Sequence, residues 1–383
     1  MDFKLSNEQL AIQKAAEEFA KGEFDKEIAL EHELAHSFPF DIWKKACELG
    51  FTGIHFPEEL GGQGFGIFEN VLVVEALCRQ DSGLGIALSL SDFASEIILR
   101  FGTDQQKMKY LLPVTRGEAL SSGGFTEPDH GSDITFMNTS AVKEGDEYVI
   151  NGVKTFITNG TIGQYVIVLC QTDPEAQPTY RGQSTILVEK GTPGYSASDI
   201  GEKMGIKMTS TGELSFNDVR VPASNLIGKE NRGFYQVLEF FDESRIEIAA
   251  QALGIAQGSF DRALAYTKQR KQFGKKLAEF QITQHKLADM ITQIETARLL
   301  VYKAAWNYDQ GKMDPKLTSM AKMYAGQVAV NVADEAIQLL GGYGYMLEYE
   351  VERFYRDAKI MEIYEGTREI QKNTIASAIL GKL

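Results

Sequence analysis

The chain has 383 residues, with 39 Lys and Arg against 53 Asp and Glu and a formal net charge of −14, a length that suits two or three folding units. At 43% hydrophobic and 24% charged residues its composition is that of a globular protein, which excludes disordered and fibrous classes. The surplus of carboxylates repels a phosphate backbone and argues against nucleic-acid binding, and charges interrupt every apolar run well short of the ~20 residues a membrane span needs.

Met1-Asp2-Phe3-Lys4 opens with neither a signal-peptide apolar core nor an Arg-rich transit segment, so a cytoplasmic location is expected. Cys47, Cys78 and Cys170 are far apart with no CxxC pairing, and read as reduced structural thiols. Five of the nine prolines fall from Pro128 to Pro222, and none follows Pro315. Because proline breaks helix interiors, the middle of the chain is the part least suited to long helices.

Residues 1–120 read as a helical domain. Asn7 is an expected N-cap for an amphipathic pattern through Ala15, Phe19 and Phe24. The glycine-rich loop Gly61-Gly62-Gln63-Gly64 follows, then an apolar run from Phe68 to Cys78. A long helical pattern then runs through Leu84, Ile86, Ile97 and Leu99. Residues 121–228 read as a β-barrel or sandwich. Tyr148-Val149-Ile150-Asn151-Gly152 predicts a strand entering a turn, and Tyr165–Cys170, Ser184–Val188 and Glu213–Phe216 predict further strands. Residues 229–383 read as a four-helix-bundle domain, with Phe260, Leu264, Leu287, Met290, Ile291 and Ile294 at three- and four-residue steps. The fold class is therefore α+β in the order helical, β, helical.

Neither GxGxxG nor GxxxxGK[ST] occurs, so Rossmann and P-loop sites have no fingerprint. The glycine clusters at 61–64 and 341–344 read as turns needing positive φ. His32, His36, His55, His130 and His285 do not combine into a metal motif and read as solvated helix histidines.

Five segments, in register and nearly end to end, together resemble the acyl-CoA dehydrogenase family of flavoenzymes. Phe125-Thr126-Glu127-Pro128-Asp129-His130-Gly131-Ser132-Asp133 is similar to the family's T-E-P-x-A-G-S-D loop, with His130 in place of a small residue. Asn151–Gly160 resembles the N-G-x-K-x-[FW]-I-[TS]-N-[GA] segment, and Gln269–Lys275 the R-x-x-F-G-K segment. Ala336–Tyr345 resembles Q-x-x-G-G-x-G-[FY]. Arg356-Asp357-Ala358-Lys359 with Ile363-Tyr364-Glu365-Gly366-Thr367 resembles the R-D-A-K…I-Y-E-G-T ending. The resemblance implies the family fold, an N-terminal helical domain, a middle β domain and a C-terminal helical bundle.

It also implies FAD-dependent α,β-dehydrogenation of a short acyl-CoA thioester to the 2-enoyl-CoA. In that reaction a base takes the proton at Cα while a hydride leaves Cβ for the flavin N5, since side chains do not accept hydrides. Glu365 matches the family's base, and its backbone N–H and a ribityl hydroxyl match the donors to the thioester carbonyl. On its own residues, Glu365 reads better as an acid favoured at a helix start. Some family members carry the base just before an arginine on the helix near 240–255; here that position is Ser244, which cannot serve.

Phe125, Thr126, Ser132, Phe156, Thr158, Arg270, Phe273, Gln281, Gln338, Gly342 and Thr367 match FAD-contacting positions. In the family Arg270 and Gln338 reach a neighbouring subunit's flavin, which implies a homotetramer built as a dimer of dimers. Without the motif, Arg270 is part of a solvated basic helix face. Ser132, Asp242, Ser244, Arg245 and Gly366 match substrate-contacting positions, although Arg245 with Asp242 also reads as a helix ion pair. The implied electron acceptor is an electron-transferring flavoprotein.

Asp92, in Leu88–Glu96, falls where short-chain relatives line the acyl pocket with neutral residues. It reads either as a helix cap facing solvent or as a second carboxylate beside the substrate, as in members acting on cyclohexane- or cyclohexene-carboxyl-CoA. An acyl-CoA oxidase and a non-catalytic flavin-binding scaffold are the remaining alternatives; Glu365 and the −14 charge argue against the scaffold.

Overall fold

The computed structural model of the chain describes residues 4–381, so the opening Met1-Asp2-Phe3 lies outside the described residues. Seven helices come first: α1 (Asn7–Glu23), α2 (Lys26–Ala35), α3 (Phe40–Glu48), α4 (Ile67–Gln80), α5 (Ser82–Ser89), α6 (Ser95–Phe101) and α7 (Asp104–Thr115). Ser6, not Asn7, caps α1. Its Oγ accepts from Gln9 N at 3.1 Å while its own N–H reaches Gln9 Oε1 at 3.0 Å, a reciprocal pairing available one residue earlier than expected.

The pattern from Leu84 to Leu99 is not one helix. It breaks at 90–94, where Ala94 takes φ +71°. Two carbonyls that a continuous helix would use are claimed from outside: Asn159 Nδ2 donates to Leu90 O at 2.7 Å and Ser121 N to Ser91 O at 3.1 Å. The break turns Asp92 inward, to 8% exposure, so it does not face solvent.

The middle region is a seven-stranded sheet of β1 (Ser121–Gly124), β2 (Ser140–Glu144), β3 (Glu147–Thr158), β4 (Tyr165–Gln171), β5 (Gln183–Glu189), β6 (Tyr195–Asp199) and β7 (Thr211–Pro222). β4 pairs with β1 in parallel, with β5 antiparallel, and with β2 at its end through Ser140 and Gln171. With three strands sharing the two edges of β4, the sheet curls around Ile150, Val168, Ile186, Leu214 and Phe216. The expected turn at Asn151-Gly152 is instead a register shift within β3. A Cβ on Gly152 would stand 2.4 Å from Thr139 Oγ1, so this glycine serves a bulge and a close crossing.

The C-terminal region holds α8 (Gly233–Gln269), a small hairpin of β8 (Lys271–Gln272) and β9 (Lys275–Lys276), then α9 (Gln281–Asp309), α10 (Pro315–Leu340), α11 (Val351–Ala358) and α12 (Arg368–Leu380). Buried alanines of α8 and α10, among them Ala252, Ala256, Ala325 and Ala329, let the two backbones approach closely. Gly254 of α8 sits against α4, where a Cβ would lie 2.5 Å from Glu75 O. All three cysteines are free and buried, and burial pushes the Cys47 and Cys170 thiols up to about 12. No helix among the described residues is long and apolar enough to cross a membrane.

Candidate active site

Glu365 lies in the turn before α12 with φ +54°, followed by Gly366 at +93°. A non-glycine residue in the left-handed region costs roughly 1 kcal/mol or more, so the surroundings must hold it there. Gln371 Nε2, fully buried, donates to both Glu365 O and Gly366 O at 3.0 Å, and Lys322 Nζ from α10 donates to Gly366 O at 2.7 Å. Thr367 caps α12 through its Oγ1. No backbone acceptor among the described residues takes the Glu365 N–H.

The side chain of Glu365 meets α8, where Ser244 Oγ donates to its Oε2 at 2.6 Å. Burial pushes the Glu365 carboxyl above its ordinary range. The Ser244 bond, Lys322 and Arg245 oppose that rise, and Glu96 adds to it. Burial lowers Lys322 to about 7. Arg245 Nη1 pairs with Asp242 Oδ1 at 2.8 Å, its side chain 8% exposed, and burial raises Asp242.

Ser244 borders a narrow cleft between α4, α6, α8 and the 90–94 break. Its walls include Phe93 and Phe240 but also Asp92, Glu96, Glu243 and Glu247. Burial, with Glu96 adding to it against His55, raises Asp92 to about 7. Burial, with repulsion from Asp92, Glu96 and Glu365, raises Glu247 well above its ordinary value. An adjoining small cavity shares Asp92 and Glu247 and ends on Phe51 and Leu77.

The residues matched to flavin contacts, apart from Thr367 beside Glu365, form two groups. Phe125 is buried, with its ring 5.8 Å from that of Phe241, and Thr155 N donates to Thr126 O at 3.0 Å, which sets the 125–132 loop beside the end of β3. There Phe156, at φ +59°, presents a ring 67% exposed, with Thr158 half-buried and Ser132 exposed. Beneath them, Lys154 Nζ and Glu127 Oε1 pair at 2.8 Å in full burial, and Glu127 also accepts from Asn138 N and Thr139 N at 2.7 and 2.9 Å. The second group, Arg270, Phe273, Gln281, Gln338 and Gly342, is exposed. Arg270 lies 5.5 Å from the Tyr343 ring and Phe273 is 93% exposed. No hydrogen bond or ring contact among the described residues joins this group to Glu365.

Sequence reading missed Glu96, Glu247, Lys322 and Gln371, and misplaced His55. That histidine is not on a helix and not solvated: its side chain is 7% exposed. The four-residue spacings Asp92/Glu96 and Glu243/Glu247 were the available signal.

The chain matches the acyl-CoA dehydrogenase N-terminal domain over residues 6–118, the middle domain over 122–219 and the C-terminal domain over 231–380. It is 44% identical over 380 residues to the short-chain specific acyl-CoA dehydrogenase of Clostridium acetobutylicum, covering 99% of this chain and 100% of that one. The butyryl-CoA dehydrogenase structure of Megasphaera elsdenii superposes with a TM-score of 0.95 at 41% identity, covering 99% of this chain and 100% of that one. A chain in the structure of the electron transferring flavoprotein of Acidaminococcus fermentans gives 0.96 at 42% identity, covering all of both chains. The fold and site thus define an FAD-dependent oxidoreductase acting on acyl-CoA. The chain belongs to the acyl-CoA dehydrogenase family.

Proposed function

We propose that this chain catalyses α,β-dehydrogenation of a short acyl-CoA thioester, with Glu365 as the base at Cα. The observation that carries the reading is the desolvated Glu365 carboxyl, raised by burial and held by Ser244 at the mouth of the cleft. An α-proton of a thioester is too weakly acidic for a carboxylate in water. Removing water raises the basicity of Glu365, while a fixed donor on the carbonyl oxygen stabilises the developing enolate charge. The free Glu365 N–H, in a backbone turn pinned by Gln371 and Lys322, suits that donor role. In the reverse direction the same carboxyl returns the proton. Buried Arg245 and half-buried Asp242, near Ser244 on α8, suit contact with the CoA moiety, as do Gly366 and Ser132.

The residues present fit FAD. At the end of β3 the exposed Phe156 ring shares its strand with Thr158 and adjoins Thr155, whose N–H holds the Thr126 carbonyl, an edge suited to a flat heterocycle with polar atoms. Arg270 suits the pyrophosphate as a forked cation, with Phe273, Gln281, Gln338, Gly342 and Thr367 completing the contacts. FAD supplies the hydride acceptor when bound. Large exposed side chains around Arg270, including Phe273 at 93% and Tyr345 at 84%, suit cover by a second copy within a homotetramer. An electron-transferring flavoprotein suits the role of acceptor. The decisive variant is Glu365→Gln. It should keep yellow FAD and bind butyryl-CoA while turnover falls on the order of 10³-fold or more; undiminished turnover refutes the assignment.

A second reading, a cyclic acyl-CoA substrate with Asp92 as an additional base, draws on one observation: Asp92 lines the same cleft as Ser244, buried and raised to about 7. Asp92→Asn should then abolish oxidation of an alicyclic acyl-CoA and spare butyryl-CoA. Equal loss on both substrates counts against it.

A further inference from the structure

His55 sits in the turn between α3 and α4, with its ring held edge-on to buried Phe56 at 4.7 Å and 82°. Its side chain is 7% exposed, and neither ring nitrogen has a hydrogen-bond partner. A buried imidazole with both nitrogens unpaired is costly, so the site is built for something else. Its Nε2 stands 3.6 Å from Glu96 Oε1 of α6 and 3.6 Å from Glu243 Oε1 of α8. Those separations are too long for hydrogen bonds. They match the edge of a tetrahedron around an ion bound at ~2.0–2.2 Å, which is about 3.4 Å. The three ligand atoms lie within 4.8 Å of one another.

The surroundings orient these atoms. Tyr308 Oη donates to Glu243 Oε2 at 2.5 Å, and Arg100 pairs with the same oxygen, which leaves Oε1 directed at His55. Outer partners that fix a carboxylate in this way are what metal ligands require.

We propose that His55, Glu96 and Glu243 form a binding site for a divalent cation of the zinc type. One imidazole and two carboxylates suit such an ion, and three protein ligands leave a position for water. The ion ties the 50–57 turn to α6 and α8. Because Glu96 and Glu243 also wall the cleft, it sets the floor of the cavity that Ser244 borders. The site goes beyond the dehydrogenase reading and does not depend on it.

The test uses the FAD-loaded enzyme, freed of metal with a chelator and titrated with zinc by calorimetry. One zinc per chain is expected. His55→Gln and Glu96→Gln should each weaken it on the order of 100-fold, while His285→Gln, which alters an exposed histidine of α9, leaves it unchanged. Zinc uptake that survives His55→Gln, or no uptake at all, overturns the site and returns the cluster to a buried ion pair. Should a variant fail to fold, cobalt added to the unaltered holoenzyme decides. Intense visible bands of a four-coordinate ion support the site; the weak spectrum of hydrated cobalt overturns it.

Discussion

Ser244→Ala removes one hydrogen bond, from a neutral hydroxyl to one oxygen of Glu365 at 2.6 Å. A hydrogen bond to an ionised acceptor contributes about 1.5–3 kcal/mol, and about 1.4 kcal/mol is a factor of ten. The bond favours the charged carboxylate, so its loss lets burial push the Glu365 carboxyl further above its ordinary range. The proposed base works ionised, so the acid limb of kcat/KM against pH should move to higher pH. Below that limb the variant should be slower by about tenfold or more, the factor that the lower end of that bond energy gives. Above it the rate equals or exceeds the parent rate, because the carboxylate is now the stronger base. The assay is anaerobic flavin bleaching by butyryl-CoA in a stopped-flow instrument across pH, with FAD absorbance confirming that the site is intact. An unmoved limb, or a uniform fall at every pH, refutes the reasoning.

Lys322→Met removes a cation that opposes the rise of Glu365, so the same limb should move upward, with a looser Gly366 carbonyl contact visible as faster amide exchange in 365–367. Glu127→Gln strands Lys154 in a fully buried setting; breaking such a pair costs about 3–5 kcal/mol, readable in urea unfolding together with loss of bound FAD. The Asp92 carboxyl is raised to about 7, so its contribution to stability is full below its unfolded value and lost as pH rises through about 7. Asp92→Asn should therefore raise the melting temperature above about pH 7 and change it little below about pH 4. Gly254→Ala drives a methyl to 2.5 Å from Glu75 O and should cost about 1–3 kcal/mol in thermal unfolding.

The fold was legible where local signals and packing agree. Tyr165–Cys170 is apolar on both faces and became β4, buried on both sides. The proline-free stretch after Pro222 became the 37-residue helix α8. Legibility failed where a distant partner captured backbone groups. Nothing near Leu90 announces that Asn159 will bind its carbonyl, so the break that turns Asp92 inward reads as continuous helix. Gly152 likewise needs Thr139, thirteen positions earlier, to explain it.

Glu365 and its neighbours divide along the same line. Glu365 was recognisable only inside its motif, because a lone acid before a helix has an ordinary explanation in the helix dipole. The buried acids of the cleft had no motif at all. Asp92/Glu96 and Glu243/Glu247, read along the chain, have the spacing of solvated helix faces, the common fate of such pairs. What inverts that reading is the crossing of α6 and α8, which points both pairs at one cavity and adds His55 from a third segment. Burial there, with repulsion from Asp92, Glu96 and Glu365 added to it, raises Glu247. The electrostatics of the cleft is a property of that crossing, and no window of sequence contains it.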